Sequence, residues 1–172
     1  MWPFKKKNLL PGVNKRPGGQ VTYELSPAEK EYLAKYLGPS LPTEDELEYW
    51  HSQPGTAAPE QMRARMADAL WHYAGEQALR ARSSTSESKK EEYLGKASAA
   101  LMKAEQVFPL PAFTFMLASF SDMRGRTEVA KKLFAEFLRM QRSFEPSPLA
   151  RDMAGRILDV TEAVKFAESK LR

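Results

Sequence analysis

Residues 59–78 run PEQMRARMADALWHYAGEQA. Met62, Met66, Leu70, Tyr73 and Ala74 recur in this stretch at spacings of three and four, the period that gathers them on one side of an α-helix. Pro59 suits the start of such a helix, because its missing N–H would have no partner there anyway. The run of serines and threonine from Ser83 to Ser88 ends it or loops it out. A second helix follows to Phe108, where Pro109 and Pro111 interrupt the chain. Further helices are expected from Ala112 to Met123, stopping at Gly125, from about Glu128 to Arg142, and from the Ser147-Pro148 start across Leu149–Leu171.

Toward the N-terminus, Ser26-Pro27-Ala28-Glu29 combines a cap, a proline at the first helical position and a capping-box glutamate. Its helix carries Tyr32, Leu33, Tyr36 and Leu37 on one side and stops at Gly38-Pro39. Thr43 and Glu46 repeat the device before Leu47, Tyr49 and Trp50, and Gln53-Pro54-Gly55 closes a second short helix. Residues 1–25 hold Pro3, Pro11, Pro17, Gly12, Gly18 and Gly19, a density that predicts an extended arm. No alternating run of Val, Ile or Thr flanked by turn residues occurs, so no strand is expected. The reading is an all-α chain in three parts: the arm 1–25, two short helices in 26–58, and a helical domain over 59–172.

Within 59–172 an internal period shows. Trp71, Ala74, Gly75 and Ala78 place a large residue, two small ones and a packing residue on one helix; Ala97, Leu101, Ala104 and Pro109 follow on the next. Leu117, Ala118, Gly125, Ala130, Phe134 and Phe137 form a second set, and Ala130 lies 33 positions after Ala97. Ala154-Gly155 and Leu158 open a third. This pattern resembles the tetratricopeptide repeat, with alanines where that family usually has a leucine and a tyrosine, and with about ten surplus residues between the halves of the first unit. The polar segment from Arg82 to Glu91 is expected to absorb them. The resemblance implies antiparallel helical hairpins stacked as a short TPR-like α-solenoid, whose concave face, lined by first helices, holds peptides or partner domains. A generic helical bundle is the competing architecture.

Composition bounds the chemistry. The chain has 172 residues, 42% hydrophobic and 28% charged, a mean hydropathy of −0.53 and no cysteine. Lacking cysteine, it has no disulfide and no thiolate nucleophile or ligand, which suits a reducing compartment. No stretch approaches the roughly 20 apolar residues of a membrane span. Residues 1–20 carry five basic residues and no acidic one, while the other 152 hold 21 basic and 22 acidic. A basic nucleic-acid-binding body is therefore not expected.

Only two histidines occur, His51 and His72, neither with a second histidine at metal-ligand spacing. The acids Glu44, Asp45, Glu46 and Glu48 lack the glycine turn of a calcium loop and suit a helix's first turn. Pro17-Gly18-Gly19 has no following lysine-serine pair, and none of Ser83–Ser88 stands in a nucleophile elbow. The phenylalanines from Phe113 to Phe137 lie at core spacing. No enzyme, cofactor or metal is expected.

The arm is the distinctive element. Trp2, Phe4, Lys5, Lys6, Lys7, Leu9 and Leu10 put rings, cations and leucines within ten residues, a mixture suited to a lipid–water interface and its anionic headgroups. The expectation is a cytoplasmic accessory or assembly subunit, peripheral at the membrane surface, docked by this arm on a membrane-bound multisubunit complex. The alternative is a soluble TPR-like chaperone or regulator that holds a peptide in its concave face.

Overall fold

The computed structural model describes residues 60–172, the strands Val13–Lys15 (β1) and Val21–Tyr23 (β2), and the single positions 27 and 31. The chain divides into two compact units, Met1–Ala58 and Pro59–Arg172. In the first unit β1 and β2 pair antiparallel in the register Val13↔Tyr23, Asn14↔Thr22 and Lys15↔Val21. This corrects the expectation of a strandless arm: three-residue strands are too short to display the alternation by which strands are recognised. Pro27 and Glu31 are helical and exposed, at positions expected for the first short helix. The rest of the two helices expected in 26–58 lies outside the described residues.

The second unit is all-α. Its first helix, α1 (Glu60–Ser83), spans 24 residues. Ser83 closes the last turn, its Oγ donating to the carbonyls of Leu79 (3.0 Å) and Arg80 (3.2 Å). Only three residues then separate it from α2 (Glu87–Val107), because Ser86 accepts from Lys89 N–H at 3.4 Å and so starts the next helix at once. The polar segment Arg82–Glu91 is thus not a long loop; most of it continues the helices on both sides of a tight connection. Lengthening a helix satisfies its backbone internally, whereas a ten-residue loop would leave those groups to solvent.

At Phe108 the chain leaves α2, and Pro111 occupies the first position of α3 (Pro111–Met123). The turn into α4 (Thr127–Arg142) is a Schellman motif. Arg126 N–H reaches Ser121 C=O at 2.9 Å, Gly125 N–H reaches Asp122 C=O at 2.9 Å, and Gly125 has φ +68°. The expected single C-terminal helix is in fact two, α5 (Pro148–Ile157) and α6 (Val160–Leu171). Leu158 is extended, and Asp159 restarts the helix by accepting from Glu162 N–H at 3.1 Å. The Asp159-x-x-Glu162 pattern carried that signal in the sequence.

Helices α1 and α2 form one antiparallel hairpin and α3 and α4 another; α2 lies against α3, α6 against α4, and α5 against both α1 and α3. The first hairpin is packed largely by alanine: Ala67, Ala74, Ala97, Ala100 and Ala104 are fully buried together with Leu70 and Leu101. The second is aromatic, with Phe113, Phe134 and Phe137 fully buried. Phe115 meets Phe134 and Phe137 edge-on at 5.7 and 5.2 Å, and Phe166 of α6 joins at 6.0 Å from Phe115 and 5.8 Å from Phe134. Phe166 is itself partly exposed.

Candidate functional site

Most of the residues singled out by the repeat-like spacing are core residues of the helical unit. Ala74, Ala97, Leu101, Ala104, Ala118, Phe134 and Phe137 have no exposed surface, and Leu117 and Ala130 are buried beside them. Trp71, Gly75 and Ala78 are half-buried, and Pro109 is exposed in the α2–α3 connection. A Cβ added at Gly75 would meet nothing within 4 Å, so close helix approach at this site is carried by Ala74 and not by the glycine. Trp71 and His72 lie ring against ring at 4.5 Å and 52°. His51 and the arm residues Trp2, Phe4, Lys5, Lys6, Lys7, Leu9 and Leu10 lie outside the described residues.

Among the described residues, two polar arrangements stand out that no motif announced. One is a seam between helices: the Thr114 hydroxyl, fully buried on α3, donates to Glu105 Oε1 on α2, and its Oγ1 also lies 3.3 Å from Met140 Sδ on α4. Burial pushes the Glu105 carboxyl above the ordinary carboxylate range; the Thr114 hydrogen bond opposes this, and the charge of Glu136 adds to it. Glu136 itself is held below that range by the Arg139 guanidinium, which donates to it from Nε at 2.8 Å and Nη2 at 2.5 Å. The signal in the sequence was a threonine inside the apolar run Ala112–Leu117, but its partner could be found only through the fold.

The other arrangement lies at the loop end of the two hairpins. Arg124 donates to both Glu91 oxygens, with Nε at 2.9 and 3.0 Å, and Arg126 Nη2 reaches the same carboxylate at 2.9 Å. The Arg124 hydrogen bond holds the Glu91 carboxyl below its ordinary range, and Arg126 adds to the effect. These contacts fasten the α3–α4 turn to the first turns of α2. Beside them is a cleft of about 370 Å³ with Ala81, Leu94 and Met123 as its apolar wall and Arg82, Lys90 and Glu87 around it. Lys90 is paired with Glu87 at 2.5 Å. The cleft's charges thus largely satisfy one another.

Chemically, Glu91 beside the cleft and Glu105 in the seam are each engaged by a side chain of another element, which makes both of them fasteners of the fold. Among the described residues no three His, Cys, Asp or Glu side chains gather as a metal site, and no helix is long and apolar enough to cross a membrane. No family model, curated protein or solved structure matches the chain.

Proposed function

We propose that the chain is a non-catalytic interaction scaffold, an accessory or assembly subunit whose helical unit presents a protein-binding surface and whose N-terminal arm docks on the cytoplasmic face of a membrane protein complex. The observation that carries the scaffold reading is the pair of antiparallel hairpins closed by alanine: Ala74, Ala97 and Ala104 let α1 and α2 approach closely, which is the spacing logic of the tetratricopeptide resemblance. Because α5 lies on α1 as well as on α3, the proposed stack is short and closes on itself.

The arm reading rests on its sequence alone. Trp2 and Phe4 act as interfacial anchors, and Lys5, Lys6 and Lys7 meet the anionic rim of the complex or its lipids. Deleting residues 1–10 releases the protein from native membranes while leaving its far-ultraviolet circular dichroism unchanged. Undiminished membrane association of the deleted chain would sink the docking role of the arm and favour a soluble regulator that binds a peptide.

A further inference from the structure

Cut at the boundary between its units, the chain shows an uneven charge: Pro59–Arg172 holds 19 lysines and arginines against 15 aspartates and glutamates. That surplus of four is confined to one end of the helical unit. Three stretches meet there: the α1–α2 connection, the α3–α4 turn, and the last residues of α6. Arg124 and Arg126 tie the second stretch to Glu91 in the first, and Lys170 ties the third to Asp122 at 2.6 Å. Residues 79–91, 121–131 and 168–172 together contain nine basic and five acidic residues. The remainder of the unit is neutral by the same count.

Exposed apolar side chains concentrate at the same end. Among the described residues five large ones are exposed, and four belong here: Leu79 (65%), Met123 (58%), Val129 (43%) and Leu171 (39%). Each comes from a different helix, at or near its end. They are separate protrusions, not the continuous wall of a peptide groove. The cleft beside Met123 holds Glu87 and Glu91 already paired with Lys90, Arg124 and Arg126, an arrangement that works against entry of an acidic peptide. Arg82 lines the cleft, and Arg80, Lys89 and Lys131 are exposed on the same stretches. Dispersed apolar tips surrounded by cations complement a surface that is anionic and deformable, with an apolar layer a few ångströms below its charge.

We propose that this loop end of the helical unit is a contact site for anionic phospholipid bilayers, with Leu79 and Met123 entering the headgroup layer and Arg80, Arg82, Lys89 and Lys131 meeting phosphates. The inference rests on the membrane-surface reading of the chain but uses no residue of the arm. A second contact of this kind fixes the orientation of the helical unit as well as its location.

The test is co-sedimentation of the full chain with vesicles of phosphatidylserine and phosphatidylcholine in equal parts, compared with phosphatidylcholine alone. Basic residues that reach the headgroups are worth about fivefold each, so the combined substitution Arg80→Gln, Arg82→Gln, Lys89→Gln and Lys131→Gln lowers binding to the anionic vesicles by roughly several hundredfold. Leu79→Ser with Met123→Ser weakens it further. Neutralising Arg65, Arg142, Arg151 and Lys165, exposed elsewhere on the unit, removes equal charge and changes binding far less.

Equal losses in the two charge variants overturn the site, because binding then follows net charge. So does full binding by the loop-end variant when Lys5→Gln, Lys6→Gln and Lys7→Gln abolish it, which leaves the arm as the sole membrane contact and the proposed function intact. Failure of the wild-type chain to bind anionic vesicles, with retention on immobilised poly-glutamate, overturns the lipid assignment in favour of an acidic protein surface.

Discussion

Single residues show how the same chemistry takes opposite signs in this chain. Burial raises the Glu105 carboxyl, so the folded chain holds that proton to a higher pH than the unfolded chain, and stability falls as pH rises from the ordinary carboxylate value through the folded one. Glu91 runs the other way: its depressed value means stability that is present above the ordinary range and lost as pH falls through the folded value. Half-exposed, it contributes under about 1 kcal/mol. Glu105→Gln, which keeps an acceptor for Thr114, removes the Glu105 pH dependence and raises the urea midpoint at neutral pH. Thr114→Val deletes the donor and destabilises the neutral-pH protein by about 1–3 kcal/mol, with the loss shrinking in acid as Glu105 protonates. Equal losses at both ends of the pH range would refute the coupling. None of this was legible from sequence, since Glu105 and Thr114 become partners only once α2 and α3 are side by side.

The glycines make the same point with backbone. Gly125 sits at φ +68°, where a side chain costs about 1–2 kcal/mol, so Gly125→Ala destabilises by roughly that amount. Gly75 lies inside α1 at ordinary helical φ, with open space where a Cβ would go, and Gly75→Ala stabilises by about 0.5–1 kcal/mol through helix propensity. Urea midpoints measure both. The repeat pattern made both glycines look structural, and only Gly125 is. Its role was readable because a turn signal is local; the freedom at Gly75 depends on where the neighbouring helix passes.

Among the elements, α1 to α4 were legible because each has a long apolar period and a strong stop, as at Pro109-Leu110-Pro111 and at Gly125. The break between α5 and α6 was missed because it contains neither glycine nor proline. It depends on Leu158 turning extended and on the Asp159 side chain capping Glu162 N–H. Asp159→Ala therefore costs about 1 kcal/mol and frays the first turn of α6, seen as faster amide exchange at Thr161 to Ala163. Unchanged exchange there would mean that packing on α4 alone holds α6 in place. Likewise, the paired strands Val13–Lys15 and Val21–Tyr23 are too short for periodicity to reveal.

At the scale of the helical unit, the contact of α5 with α1 separates two kinds of architecture. In an open linear stack each hairpin touches only its neighbours, and damage stays local. Here α5 rests on α1 and α3 together; Arg156 Nη1 stands 3.5 Å from Asp68 Oδ1, and the Ser147 hydroxyl donates to Glu60. The first hairpin is thereby tied to the C-terminal helices as well as to α3. Phe134→Ala removes a fully buried ring that meets Phe115 and Phe166, a loss of about 3–5 kcal/mol. Because the unit is closed, that loss reaches α1: in native-state hydrogen exchange, the slowest amides in the middle of α1 speed up in step with those of α4. If α4 and α6 loosen while α1 keeps its wild-type protection, the two hairpins are separate cooperative units and the open stack is the better description.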